Sequence, residues 1–475
     1  MPKVYKTPGV YREEFFLQPQ EALPTGIPGF VGFAWAIAPL EKLPPGIDLT
    51  SLPESLKGKI DYDSEKKCLV FPGVITSTIR DELLQLSEDP ENSEELLLFQ
   101  KAIQSLFENA QQVISLQRKR DFDNELQTPN ESYLAEAVNG FFENGGIRCY
   151  VARAVFESEN PDRNKEALIQ ALSGLEPLND LDLVAIPDAM TLYPDKQAVL
   201  QVQQAALNHC ETCGDRMVVL DALPSLENGQ PKLTLYEDIK SQHRDLSVNQ
   251  KEAFNGVLYF PWVKNTQDYP KQDDPTQLEK GRLVPPCGHV AGIIARSDRD
   301  RGVFKAPANE EIYDVLDLEL PIDNSIQEEL NPLGINCLRS FPGRGIRVWG
   351  ARTLAGQDFN WRYVNVRRLF LTLMRWIDQN MFWVTFEPNG RLLWLRIQRE
   401  LSFYLEGWWQ AGALIGETRN QAFYVKCDEE TNPPENRELG QVITEIGFAP
   451  NAPAEFIIVR IVRRTDTREI LRPYI

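Results

Sequence analysis

A chain of 475 residues with 42% apolar and 25% charged residues has the composition of a folded protein of about two to four domains, long enough to bury sizeable cores. Its formal net charge of −19 argues against nucleic acid as the main partner. No apolar run reaches the ~18 residues that a membrane span needs, so no direct membrane insertion is expected, and the first residues lack the basic-then-apolar layout of a signal peptide.

Seven cysteines, an odd number scattered through a long chain, predict free thiols in a reducing cytosol rather than a disulfide framework. The charge is unevenly spread. Residues 339–475 hold 18 Arg and one Lys against 15 acids, a net of +4; this leaves 31 basic and 54 acidic residues, a net of −23, in the rest. Arg forms fixed, bidentate ion pairs. An acidic body with an Arg-rich C-terminal part therefore suits contacts between copies of the chain, as well as a merely solvated surface.

In chain order, residues 1–21 contain KVYKTPGVYREEFF, where Val4, Tyr5, Val10 and Tyr11 have strand character but Pro8-Gly9 breaks the run and no partner strand follows. Residues 22–39 read as a buried strand behind a Pro/Gly-rich lead-in. Residues 40–130 carry 17 acids against 10 bases. They read as a surface insertion closing on a helix, SEELLLFQKAIQSLFENAQQVISLQRKR.

From 131 to 354 short apolar strands (IRCYVARAV, LDLVAIPDA, RMVVLDAL, GVLYFPWVK) alternate with amphipathic helices, which predicts a largely parallel sheet covered on both faces. From 355 to 452 the pattern is α+β. Tyr363, Val366, Phe370, Leu373 and Ile377 predict one helix, and Trp394, Ile397, Leu401, Tyr404 and Trp408 a second. FWVTFEP between them predicts a strand, and QAFYVKCD and GQVITEIGFAP two more. Residues 453–475 open on PAEFIIVRIVRR, where Phe456, Ile457, Ile458, Val459 and Ile461 are too apolar for a solvated tail.

Candidate chemistry is sparse. The histidines are His209, His243 and His289, and no G-x-S-x-G or comparable nucleophile turn accompanies them. HCETC (209–213) with Cys287 and His289 lacks a second pair with ligand spacing. Gly343, Gly345 and Gly350 match neither a dinucleotide fingerprint nor a phosphate loop; they predict tight turns whose Arg344, Arg347 and Arg352 meet carboxylates. No catalytic residue, cofactor site or metal site is specified.

YKTPGVYREE, ESYLAEAVNGFFENGGIRCYVARA, LVPPCGHVAGIIARSDRDRGVFKAPANE, NPLGINCLRSFPGRGIRVWGARTL, WRYVNVRRLFLTLMRWI, FEPNGRLLWLRIQRELSFYLEGWWQAGALIG and EIGFAPNAPAEFIIVRI resemble, in order, tail sheath proteins of contractile phages and related contractile injection systems. The resemblance spans nearly the whole chain except about 40–130. It implies an α/β central domain (22–39 and 131–354), subtilisin-like but without catalytic residues, interrupted by the inserted surface domain. An α+β C-terminal domain (355–452) and extended terminal β-arms (1–21 and 453–475) complete it.

The function implied is that of a non-enzymatic structural subunit without a cofactor. Such subunits form a homo-oligomer, a helical stack of hexamers assembled in the cytoplasm around an inner tube protein. Baseplate and tail terminator or cap proteins are further partners, and anchoring to a membrane would pass through the baseplate. Contraction from a metastable extended state drives the tube through a target envelope. The orphan segments, through Val4, Tyr5, Val10, Tyr11, Phe456, Ile457, Ile458, Val459 and Ile461, would add strands to neighbouring copies. The second C-terminal helix, with Arg391, Arg396 and Arg399, is the candidate tube-facing surface. A subtilisin-like hydrolase and a capsid- or tube-type structural protein remain as alternatives.

Overall fold

A computed structural model of the chain describes residues 23–40, 60–71 except 65, 101–102, 105–106, 112–157, 161–227, 230–231, 234–270 and 278–453. In chain order the first elements are β1 (Pro28–Phe33), β2 (Trp35–Pro39), β3 (Asp61–Asp63), β4 (Cys68–Phe71), β5 (Val113–Leu116), α1 (Lys119–Glu125) and β6 (Leu126–Gln127). The α/β alternation follows with α2 (Leu134–Glu143), β7 (Cys149–Ala154), α3 (Pro161–Leu172), β8 (Leu183–Ala185), α4 (Lys196–Cys213), β9 (Met217–Asp221), α5 (Leu235–Leu246), β10 (Gly256–Phe260) and α6 (Cys287–Arg301). Then come β11 (Ile335–Phe341), β12 (Gly345–Val348), α7 (Val364–Asn380), α8 (Arg391–Gln410), β13 (Phe423–Lys426) and β14 (Glu445–Phe448).

The central sheet has eight strands in the order β12-β11-β10-β9-β8-β1-β7-β5. The six inner strands are parallel, and β12 and β5 are antiparallel edges. Burial explains the composition of the inner strands. Every residue of β1, β9 and β10 is buried, because helices cover both faces and leave no solvent side for polar residues. One face packs on α3, α4 and α5, the other on α2 and α6. Helices α2 and α6 touch closely because Gly288 has no side chain; a Cβ there would lie 2.1 Å from the Ala137 carbonyl oxygen. Asp195 caps α4 through the amides of Gln197 and Ala198, and Gly214, at φ 71°, ends it in the left-handed region.

Three local expectations change. Residues 113–116, read as helix inside the 40–130 insertion, form β5 and pair with β7. The β-branched Val113 and Ile114 find a partner strand, and tertiary pairing overrides the helical pattern around them. The end of that insertion is thus continuous with the central sheet, while β3, β4, β2 and β6 make a separate four-stranded sheet beside it. FWVTFEP is not a strand: residues Phe382–Val384 form a 3₁₀ turn between α7 and α8, and among the described residues no strand pairs with it.

The C-terminal part is fastened to the sheet by a buried ion triad. Arg368 on α7 donates through Nη1 to Asp298 Oδ1 at 2.7 Å and through Nη2 to Asp298 Oδ2 at 2.5 Å and Asp182 Oδ2 at 2.7 Å. Asp182 also accepts the amides of Gly26 and Ile27. Burial pulls the Arg368 guanidinium down, but the two carboxylates outweigh it and hold it above its ordinary range. Part of the C-terminal Arg excess is therefore spent inside the chain.

Candidate functional site

The carboxyl ends of β1, β8 and β9 hold a cluster of buried titratable groups. Asp188, fully buried, accepts the Phe33 amide at 2.6 Å, the Tyr133 amide at 2.6 Å and the Ser132 hydroxyl at 2.7 Å. Asp221 accepts the Cys287 amide at 2.8 Å at the start of α6. Burial pushes Asp188 up to about 6 and Asp221 up to about 7.

His289 lies on α6 with neither ring nitrogen hydrogen-bonded. It is wedged against Gly140, where a Cβ would meet its ring at 2.6 Å, and burial pulls it down to about 4. The Ser132 hydroxyl is committed to Asp188, and His289 bonds neither of them. Asp188 works as a clamp, holding the end of β1 to the start of α2.

The remaining histidines have structural contacts. His243 on α5 bonds the Leu354 carbonyl at 2.9 Å, and His209 lies 3.8 Å from Cys213 Sγ one helical turn away. Among the described residues no three His, Cys, Asp or Glu side chains are grouped to hold a metal ion. Of the three turn arginines, Arg347 lies 3.6 Å from Glu311, whereas Arg344 bonds Asn309 Oδ1 and sits over the Phe341 ring. Arg352 is buried.

The assembly surface predicted from sequence falls in two parts. Val4, Tyr5, Val10, Tyr11, Phe456, Ile457, Ile458, Val459 and Ile461 lie outside the described residues. Within the described residues, β13 and β14 form a two-stranded antiparallel ribbon in the C-terminal part. Phe423, Val425, Ile446 and Phe448 back it onto the α7–α8 clusters. The opposite face carries Tyr424, whose hydroxyl donates to Glu445 at 2.5 Å. A two-stranded ribbon is marginal alone.

On α8, Leu393, Trp394, Ile397, Leu401 and Leu405 face inward. Arg391, Arg396 and Arg399 are all on the exposed side. Arg396 is engaged at home, bonding Glu400 at 3.3 Å and covering the Trp383 ring at 3.6 Å. Arg391 and Arg399 have no ion-pair partner among the described residues. Sequence reasoning missed the apolar members of this face. Phe382 is 74% exposed, Leu392 86% and Phe386 102%, with Phe386 held at φ 69°. A left-handed, solvent-exposed phenylalanine is a strained arrangement.

Residues 242–354 match the phage tail sheath protein central domain, and residues 357–464 the phage tail sheath C-terminal domain. Two adjacent stretches of the chain are thus similar to the two domains of phage tail sheath proteins. The chain is 27% identical over 187 residues to the tail sheath protein of Vibrio phage KVP40, a match covering 39% of this chain and 27% of that protein. It is 33% identical over 119 residues to the tail sheath protein of Burkholderia phage BcepMu, covering 23% of each. The matched part thus spans about a quarter of the length of these curated relatives.

Likeness of fold runs much further. The helical sheath of the anti-feeding prophage in its contracted state superposes with a TM-score of 0.60 at 24% identity, over 97% of this chain and 100% of that one. The contracted sheath complex of the extracellular contractile injection system PVC gives 0.60 at 23% identity, over 98% and 99%. At these identities the superpositions speak to the fold: a sheath fold of mixed α/β content with a central and a C-terminal domain.

Proposed function

We propose that this chain is the structural subunit of a contractile sheath, without enzymatic activity. It stacks as hexameric rings around an inner tube and contracts from a metastable extended state. The observation that carries the reading is the pair of sheath domains over 242–464 within a chain whose fold matches contractile sheaths end to end. The Ser132 hydroxyl bonded to Asp188, with no bond from His289 to either, supports it against a hydrolase. The rings are linked by exchanged strands: residues 1–21 and 453–475 add to the β13–β14 ribbon of neighbouring copies. Each added main-chain hydrogen bond contributes about 0.5–1.5 kcal/mol net, so a few per link, repeated through a lattice, hold copies together while their bodies turn.

The exposed side of α8 grips the tube through Arg391, Arg396 and Arg399. Baseplate and terminator proteins close the two ends, and assembly takes place in the cytoplasm. Contraction is an interface switch between two packings, and the work comes from energy stored during assembly. Negative-stain microscopy of the purified protein tests the reading: long hollow cylinders with a wide lumen are expected, and capsid-like shells or narrow tubes would refute it.

A further inference from the structure

A cavity of about 740 Å³ opens where the two matched stretches, 242–354 and 357–464, meet. Three rings line it: Phe304 from the loop after α6, Trp349 just past β12, and Tyr363 just before α7. Trp349 packs on the Phe341 ring with centroids 4.5 Å apart, which holds it in place. A space of this size with aromatic walls and a few placed polar groups is the usual form of a small-molecule site.

The polar groups narrow the ligand. Lys305 is occupied, donating to Glu310 at 2.7 Å and to the Ala308 carbonyl at 2.9 Å. Arg301 also lines the cavity, is exposed, and has no ion pair among the described residues. No acidic side chain lines the cavity among those residues. One free guanidinium suits a single carboxylate, which it can hold by two parallel bonds. The phosphates of a nucleotide would need further cations or a nest of backbone amides.

Two amides of the wall carry a second signal. The Gln327 nitrogen donates to the Trp349 carbonyl at 3.1 Å, and the Asn365 nitrogen to the Phe304 and Asn451 carbonyls at 2.7 and 3.2 Å. Those bonds fix which end of each amide is oxygen, and both oxygens lack a donor. Asn365 is 2% exposed, and a buried acceptor left unpaired is costly. A ligand N–H or O–H is the missing partner.

We propose that this cavity binds a small aromatic carboxylic acid that carries one N–H or O–H donor. Its ring packs among Phe304, Trp349 and Tyr363, its carboxylate meets Arg301, and its donor serves the Gln327 and Asn365 oxygens. The site stands independently of the sheath reading.

Ligand-observed NMR titration of the unpolymerised full chain with indole-3-acetate tests it, since that probe has a flat ring, one N–H and one carboxylate. A ligand of this size should bind with a dissociation constant of about 1 mM. Arg301→Gln should weaken it about tenfold, the worth of one charge-assisted bond, and leave neutral indole unchanged. N-methylindole-3-acetate, which lacks the donor, should bind the parent more weakly than indole-3-acetate does. Ala308→Trp, filling the cavity from a half-buried wall position, should abolish binding of all three. Equal binding of indole-3-acetate to the parent and to Arg301→Gln, binding that survives Ala308→Trp, or equal binding of the methylated probe would overturn the proposal. So would no binding to the parent at about ten times the expected constant. Should Ala308→Trp fail to fold, Arg301→Glu decides: it must lose indole-3-acetate and keep indole, and retention of both overturns the site.

Discussion

Asp221 and Asp188 retain protons that an unfolded chain would lose. Their folded values of about 7 and about 6 lie above the unfolded carboxylate range near about 4. Between those limits the folded state binds more protons than the unfolded one, so their contribution to stability is full in acid and is lost as pH rises toward 7. Asp221→Asn keeps an acceptor for the Cys287 amide and removes the titration. Denaturant midpoints of the variant should fall less steeply from pH 4.5 to pH 7 than those of the parent, a difference of a few kcal/mol at about 1.36 kcal/mol per unit; parallel profiles would contradict the assignment. Arg368 makes the opposite case. Arg368→Ala strands Asp182 and Asp298 without their cation and should cost about 3–5 kcal/mol of stability, read by urea unfolding. Restoring much of that loss by adding Asp298→Asn would identify the uncompensated charge as its cause.

At the level of elements, helices α7 and α8 were legible because apolar residues recur with helical spacing. Residues such as Leu373 and Ile397 do lie in the C-terminal core. The parallel strands were legible because β1, β9 and β10 are apolar on both faces. What could not be read was anything set by a distant partner. VISL becomes a strand because β7 lies beside it, and FWVTFEP, also rich in β-formers, turns where no strand pairs with it among the described residues. The destinations of Arg368 and the exposure of Phe386 likewise depend on contacts far apart in sequence. For the tube contact, Arg391, Arg396 and Arg399 all changed to Glu should release sheath from tube in pull-down assays while sheath-only polymers still form. Unchanged co-assembly would remove α8 from that role. Because Arg396 already serves Glu400 and Trp383, reversal at Arg391 and Arg399 alone should produce most of the loss.

For the whole molecule, the acidic body and the Arg-rich C-terminal part are joined by the Arg368 triad, which makes the junction between sheet and C-terminal domain a buried contact rather than a loose linker. A body built this way suits the proposed motion at the contacts between copies. Contraction of purified extended particles should then proceed without ATP when triggered by heat or denaturant, and a strict ATP requirement would refute stored-energy drive. The most direct measurement concerns the two terminal segments. Chains lacking residues 1–21 or 453–475, examined by negative-stain microscopy and size-exclusion chromatography, should remain folded, single and soluble. Cylinders assembled from the shortened chains as readily as from the intact one would contradict the account.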